Sequence, residues 1–238
     1  MYQNYIFDFY GTLANIQTDE ESPYLWKKLS EIYTALGACY QPEELKQEFR
    51  RLEQEEVAKL VEKYAEADLK KVFALLYHKK GALCDVSLAK TTAVVFRALS
   101  REYLRLYCGV EELLQELKKH GKGIYLLSNA QADFTRPEIQ MLGLENWFHG
   151  ICLSSEQKCK KPSPAFFQSL LVNFDLEPST CIMIGNDEVT DIMGAQQVGM
   201  DSLYIHSNLS PEWKGIGNPT YLVMDGNIRK IKDLIISK

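Results

Sequence analysis

Two textures of hydrophobic patterning alternate along the chain. A short apolar run over 4–8, Tyr5-Ile6-Phe7, ends in Asp8. From about residue 16 to 105 the apolar positions fall instead at helical spacing. Ser22-Pro23 reads as a helix start with Pro at the first helical position, and Gly37 closes that helix. Pro42 opens a second helix whose apolar positions are Leu45, Phe49, Leu52, Leu60, Val61 and Tyr64. Further helical patterns cover 68–78 and, after a Ser87 cap, 88–106. No strand-like run is expected within this region.

From residue 109 onward, helices and short apolar runs alternate. A helix over 110–119 leads through Gly121 and Gly123 into Ile124-Tyr125-Leu126-Leu127, which ends at Ser128. A helix near 132–141 precedes a run at 150–154, and Ser163-Pro164 starts a helix reaching about 173. The run Cys181-Ile182-Met183-Ile184, a helix over 188–198 and the run Ser202-Leu203-Tyr204-Ile205 follow. Continuous apolar runs alternating with helices predict a parallel sheet covered on both faces. The expected fold is therefore α/β: a doubly wound, Rossmann-like parallel sheet interrupted by an all-helical insert. The core takes residues 1–15 and 106–238, and the insert takes 16–105.

The length of 238 residues agrees with one large domain plus a smaller one. Acidic residues number 32 against 27 basic ones, so no basic surplus argues for a nucleic-acid or membrane partner. The six cysteines form no Cys-x-x-Cys pair and have no His at zinc spacing, so neither disulfides nor zinc are expected. Met1-Tyr2-Gln3-Asn4 lacks a basic region and a long apolar stretch, and no apolar run approaches about 18 residues. A cytoplasmic, reducing setting is the expectation.

In open α/β sheets ligands bind beyond the carboxyl ends of the strands. Those ends here read Asp8-Phe9-Tyr10-Gly11-Thr12, Ser128-Asn129 and Gly185-Asn186-Asp187-Glu188-Val189-Thr190-Asp191, with Lys161 just before the Ser163-Pro164 start. A carboxylate, a hydroxyl, an ammonium and a second acidic cluster would share one pocket. That set suits a small anionic substrate attacked by a carboxylate, with Mg²⁺ between the acidic groups.

These residues resemble the four motifs of the haloacid dehalogenase-like (HAD) superfamily. Asp8 to Thr12 matches the first, the Asp-x-Asp-Gly-Thr type; Leu127-Ser128 matches the second, Lys161-Pro162 the third and Gly185 to Asp191 the fourth. The resemblance spans roughly residues 1–15 and 107–210, and the insert sits where the family places a C1-type helical cap. It implies that Asp8 is a nucleophile forming a covalent aspartyl intermediate. Ser128 and backbone amides near Gly11, Thr12 and Asn129 would bind the oxygens of the transferring group, and Lys161 would neutralise Asp8 and the substrate. Asp8, the Tyr10 carbonyl and Asp187 or Asp191 would hold Mg²⁺; Asn186 stands where the fourth motif usually carries Asp. Arg97 is a candidate for meeting a substrate carboxylate or phosphate from the insert. The four histidines form no constellation.

Tyr10 replaces the Asp that, in the family's phosphatases, protonates the leaving group. An unperturbed phenol, with a pKa of about 10, is a poor substitute near neutral pH. Haloacid dehalogenases of the family can carry Tyr there, because a departing halide needs no proton. The paired acidic residues favour a metal-dependent phosphatase of a small phosphorylated metabolite, Tyr10 favours a 2-haloacid dehalogenase, and a catalytically weak binding protein is the third reading.

Overall fold

The computed structural model describes residues 2–235; Met1 and residues 236–238, which the sequence reading assigns to the ends of the core, lie outside the described residues. Strand β1 (Asn4–Phe7) is followed by β2 (Ala14–Thr18) and by helices α1 (Pro23–Ala35), α2 (Pro42–Ala58), α3 (Leu69–Lys79) and α4 (Val86–Ser100). Then come β3 (Arg101–Leu106), α5 (Val110–Lys119), β4 (Gly123–Ser128), α6 (Ala132–Met141) and β5 (Gly150–Leu153). The one-turn α7 (Ser154–Gln157), α8 (Pro164–Asn173) and β6 (Cys181–Gly185) follow. A π-helical turn, Glu188–Met193, runs into α9 (Gly194–Gln197), and β7 (Asp201–Ile205), β8 (Tyr221–Val223) and α10 (Arg229–Ile235) complete the described residues.

Six strands form one parallel sheet in the order β5-β4-β1-β6-β7-β8. β1 lies between β4 and β6, and the chain reverses its winding direction there. That is the switch point at which α/β sheets bind ligands. The strands read as unbroken apolar runs because each face is buried separately. Tyr5 and Phe7 enter one hydrophobic cluster with Ile124, Leu126, Ile182 and Ile184. Ile6 enters the opposite one with Tyr125, Leu127, Cys181 and Met183. This division follows from the two-residue period of a strand.

Helices α1 to α4 bury a third cluster around Trp26, Phe49, Phe73 and Phe96. Tyr33 and Tyr77 stack within it at a centroid separation of 4.1 Å. Phe134 of α6 packs on Phe96 at 5.9 Å, so the helical cluster continues onto the sheet domain.

Three expectations need correction. The 16–105 region is not purely helical: β2 and β3 pair antiparallel, Ala14 opposite Leu106 and Ile16 opposite Leu104. The short period-two signal of Arg101-Glu102-Tyr103-Leu104-Arg105-Leu106 follows α4 without a break and passes for its continuation. The second helix ends at Ala58, and Val61 is fully exposed, because the next residues leave the bundle to contact the sheet domain. α4 is capped by Asp85, whose carboxylate accepts from Leu88 N–H at 2.7 Å, rather than by Ser87. Among the described residues no helix is long and apolar enough to cross a membrane, and no cysteine is in a disulfide.

Candidate active site

Asp8 leaves the end of β1 with its N–H donated to the Ile184 carbonyl at 2.9 Å. Its side chain is buried among groups from three further elements. Ser128, the last residue of β4, donates its hydroxyl to Asp8 Oδ1 at 3.0 Å. Lys161 Nζ donates to the same oxygen at 2.7 Å and to Asp191 Oδ1 at 2.6 Å. Asp191 Oδ2 accepts from the Asp187 N–H at 3.0 Å. The structure thus brings together Asp8, Ser128, Lys161 and Asp191.

Burial alone would lower the Lys161 ammonium, but the Asp191 and Asp8 carboxylates outweigh it and hold the group above its ordinary value. Burial pushes the Asp191 carboxyl up to about 7, aided by the nearby Asp8 charge and opposed by Lys161. An ammonium between two carboxylates is the state in which each group limits the desolvation of the others.

Asn129 pins the lysine from behind. Its Oδ1 accepts from Lys161 N–H at 2.7 Å, and its Nδ2 donates to the Lys161 carbonyl at 3.0 Å. The Asn129 side chain is therefore engaged with backbone; only its N–H is left for the substrate role expected of it. Thr12 donates weakly to Asn186 Oδ1 at 3.4 Å, and Asn186 Nδ2 donates to Ser210 Oγ at 3.4 Å. Asp187 acts as a helix cap, its Oδ1 accepting from the N–H groups of Val189 and Thr190 at 2.7 and 3.0 Å.

Gly11 and Gly185 are required by contact. Gly11 has φ +87°, and a Cβ there would lie 2.3 Å from Asn186 Nδ2. A Cβ on Gly185 would lie 2.2 Å from Asp191 Oδ2. Gly11→Ala is expected to cost about 1–2 kcal/mol from the left-handed backbone alone. Displacement of Asn186 should reduce turnover further; a melt and a rate measurement on the variant check both effects.

Tyr10 faces elsewhere with its hydroxyl, which bonds to Glu138 and lies 2.9 Å from Thr135 Oγ1. Burial and the Glu138 charge raise the phenol well above its ordinary value, so it stays protonated. Glu138, on α6, is 1% exposed and also accepts from Arg97 Nε at 2.8 Å and from Arg101 Nη1 at 3.0 Å. Arg97 lies 5.4 Å from the ring centres of both Tyr10 and Phe134. The arginine expected to meet substrate is thus paired with a buried carboxylate, although it still lines a cavity.

Two cavities meet at Tyr10 and Asn129. One, of about 220 Å³, opens on Asp8, Ser128, Lys161, Asp187 and Asp191. The other, of about 260 Å³, lies between the helices and the sheet domain and is lined by Glu20, Glu53, Glu66 and Arg97. Sequence reasoning missed Glu138, Thr135, Glu66, Gln131 and Glu188. Glu188 holds the segment after β7, accepting from the N–H groups of Ile216 and Gly217 at 2.7 and 3.2 Å and from that of Lys214. Leu209 and Pro211 of that segment border the Asp8 cavity. Only Glu188 had a local cue, its place in the fourth motif.

The donor set fits a small hard cation. Asp8 and Asp191 share the single Lys161 ammonium, and Asp187 lines the same cavity, so the carboxylates there outnumber the cation. Among the described residues no three His, Cys, Asp or Glu side chains form a metal cage by themselves. A cation would therefore draw on one or two carboxylates, the Tyr10 carbonyl, the Asn186 amide, water and substrate oxygens, as Mg²⁺ commonly does. Both Asp191 oxygens already accept hydrogen bonds, from Lys161 and from the Asp187 N–H.

Comparison with known proteins bears on this arrangement. The haloacid dehalogenase-like hydrolase family matches residues 2–199. The chain is 26% identical over 145 residues to human N-acylneuraminate-9-phosphatase, covering 60% of this chain and 58% of that protein. It is 30% identical over 124 residues to phosphoserine phosphatase of Thermus thermophilus, covering 52% and 49%. The chain therefore spans about half the length of these curated relatives. Among solved structures, a 2-haloacid dehalogenase from Pseudomonas syringae superposes over 100% of this chain and 99% of that one, with a TM-score of 0.72 at 23% identity. A HAD phosphatase from Thermococcus onnurineus covers 97% and 96%, with a TM-score of 0.62 at 19% identity. These superpositions establish a shared fold. The chain belongs to the haloacid dehalogenase-like hydrolase family.

Proposed function

We propose that this hydrolase is a Mg²⁺-dependent phosphatase of a small phosphorylated metabolite, with Asp8 as the nucleophile. The observation that carries the reading is the Asp8–Lys161–Asp191 array at the sheet's switch point, with Ser128 on the same Asp8 oxygen. The phosphatase relatives, though matched over only about half their length, favour phosphoryl transfer.

Ser128 and Lys161 both bind Asp8 Oδ1, which leaves Oδ2 to attack phosphorus. The bond from phosphorus to the leaving oxygen breaks, an aspartyl phosphate forms, and the departing alkoxide takes its proton from solvent water. A second water then attacks phosphorus, giving up a proton to the hydroxide left in solvent and releasing inorganic phosphate and the Asp8 carboxylate. The Lys161 ammonium and the Ser128 hydroxyl stabilise charge on the phosphoryl oxygens, whereas the Gly11 and Thr12 N–H groups expected to share this task are donated to the Ala14 and Phe9 carbonyls. Mg²⁺ held by Asp8, the Tyr10 carbonyl and Asp187 or Asn186 would neutralise the phosphoryl group and help fix its orientation.

A second reading, hydrolysis of a 2-haloacid, is favoured by one observation: the Tyr10 hydroxyl is turned to Glu138 and Thr135 rather than to Asp8. A halide leaves without a proton, so that site needs no acid there.

One panel separates the readings. The protein is assayed on p-nitrophenyl phosphate, a set of phosphorylated metabolites and 2-chloropropionate, with Mg²⁺ and with a chelator. Phosphate release lost on chelation and restored by Mg²⁺ is the expected result. Metal-independent chloride release would replace the phosphatase reading with the dehalogenase one.

A further inference from the structure

The residues between α2 and α3 do more than connect helices. Lys160 N–H donates to the Tyr64 carbonyl at 2.9 Å, and Glu66 N–H donates to the Lys158 carbonyl at 3.2 Å. Between these bonds Ala65 faces Cys159 across an antiparallel bridge, and both are buried. The stretch so held ends one residue before Lys161. Lys158 is in the left-handed region at φ +58°, a conformation that a lysine adopts only when its surroundings impose it.

Glu66 and Gln131 secure this seam. Glu66 Oε1 accepts from Gln131 Nε2 at 3.1 Å, and Oε2 accepts from Ser154 Oγ at 3.1 Å. Gln131 also donates to the Ala67 carbonyl at 2.8 Å and accepts from Leu69 N–H at 3.0 Å. Ser154 accepts from Ala130 N–H at 2.8 Å, so the same knot reaches the loop that follows Ser128 and carries Asn129. Lys161 is thereby gripped from two sides, by Asn129 of the sheet domain and by the helical insert through 158–160.

We propose that Glu66 and Gln131 are positioning residues: they dock segment 64–69 on the sheet domain so that it holds 158–160, and through it Lys161, where Asp8 needs its ammonium. Neither residue touches Asp8, Ser128 or Lys161 in this arrangement; their effect passes through the backbone of the seam. Lys161 Nζ serves two carboxylates at once, and a displacement of about 1 Å in such a site can cost up to roughly 10²-fold in rate.

The inference rests on the phosphatase reading, so the experiment starts with wild-type release of p-nitrophenol from its phosphate in Mg²⁺. Absence of that release overturns the phosphatase reading before any variant is compared. Given wild-type turnover, Glu66→Ala and Gln131→Ala are expected to lower kcat roughly tenfold or more with KM little changed. Glu66→Gln, which keeps an acceptor for Gln131, should lose less; it also replaces Glu66→Ala in the comparison if the latter fails to fold by thermal melt. The decisive arm adds Ala65→Cys. Partners in an antiparallel bridge have Cα atoms about 4.5–5.5 Å apart, within disulfide reach. Oxidation should join the new cysteine to Cys159, restore kcat in the Glu66 variant and leave the single Ala65→Cys variant active; reduction should remove the rescue. Oxidised wild type controls for the other cysteines. Unchanged kcat in the Glu66 and Gln131 variants, a locked seam that fails to restore kcat, a locked single variant that is inactive, or failure of the disulfide to form each overturns the proposal.

Discussion

Asp8→Asn is expected to lower phosphate release by roughly 10⁴-fold or more, since loss of a covalent nucleophile removes the reaction path itself. The carboxamide has the size of the carboxylate, and its oxygen still accepts from Ser128 and Lys161, so the geometry at 3.0 and 2.7 Å has a substitute. The fold should not suffer. Asp8 is one of the charges that raise Asp191, so its neutralisation relieves a like-charge contact between buried groups. The melting temperature is therefore expected to match or exceed that of wild type. Brief exposure of wild type to substrate, acid quenching and peptide mass spectrometry should find one added phosphoryl group on the peptide containing Asp8, and none in the variant. A variant retaining a tenth of the activity, or a phosphoryl group elsewhere, would overturn Asp8 as the nucleophile.

The second large effect is on stability. Glu138→Ala is expected to destabilise the chain by about 3 kcal/mol or more, the cost of breaking a buried ion pair from one side. Glu138 is 1% exposed, and its removal leaves Arg97, itself 9% exposed, with the more distant Glu20 carboxylate at 3.8 Å and the Tyr10 hydroxyl with Thr135. For a chain of this size that corresponds to a fall in Tm of roughly 6–12 °C. Because Arg97 and Arg101 come from α4 and β3 while Glu138 belongs to α6, the loss falls at the junction between the helical insert and the sheet domain. Arg97→Met in the Glu138→Ala background should recover part of the loss, and the double-mutant cycle measures the coupling. A Glu138→Ala melt within a degree or two of wild type would show that the pair contributes little.

How much of this was legible in the sequence depended on range. The helices over 110–119 and 132–141 were readable because their apolar faces and flanking glycines lie within the segments themselves. The strand exits were readable for the same reason: two apolar runs stop at Asp8 and Ser128, and a third stops at Gly185 ahead of Asn186 and Asp187. The β2–β3 pair was not, since β3 follows α4 directly and its partner lies far away in the chain. The stretch 60–68 carries helix-compatible apolar residues, yet its backbone is taken by Lys158 and Lys160. β8 and α10 lie beyond the last element that the pattern marked. In the site, the charged groups of the four motifs were legible by residue type. The engagement of Arg97 and Tyr10 was not, because Glu138 sits in an ordinary helical position with nothing local to mark it as the acceptor for three donors.

The central place of β1 has a consequence for how the chain acquires its structure. Asn4 pairs with Gly123 on one side and Cys181 on the other. As the chain emerges during synthesis, its first strand has no neighbour until β4 follows, and none on its second side until β6. The helical insert meets the opposite condition: its Trp26, Phe49, Phe73 and Phe96 lie within one continuous stretch and can cluster before any sheet strand after β1 exists. The insert can thus assemble before β1 although β1 precedes it in the sequence, and β1 must wait for the slow, distant pairing that nonlocal contacts impose. Asp8, whose N–H is donated to Ile184 of β6, takes its place only once that strand has paired.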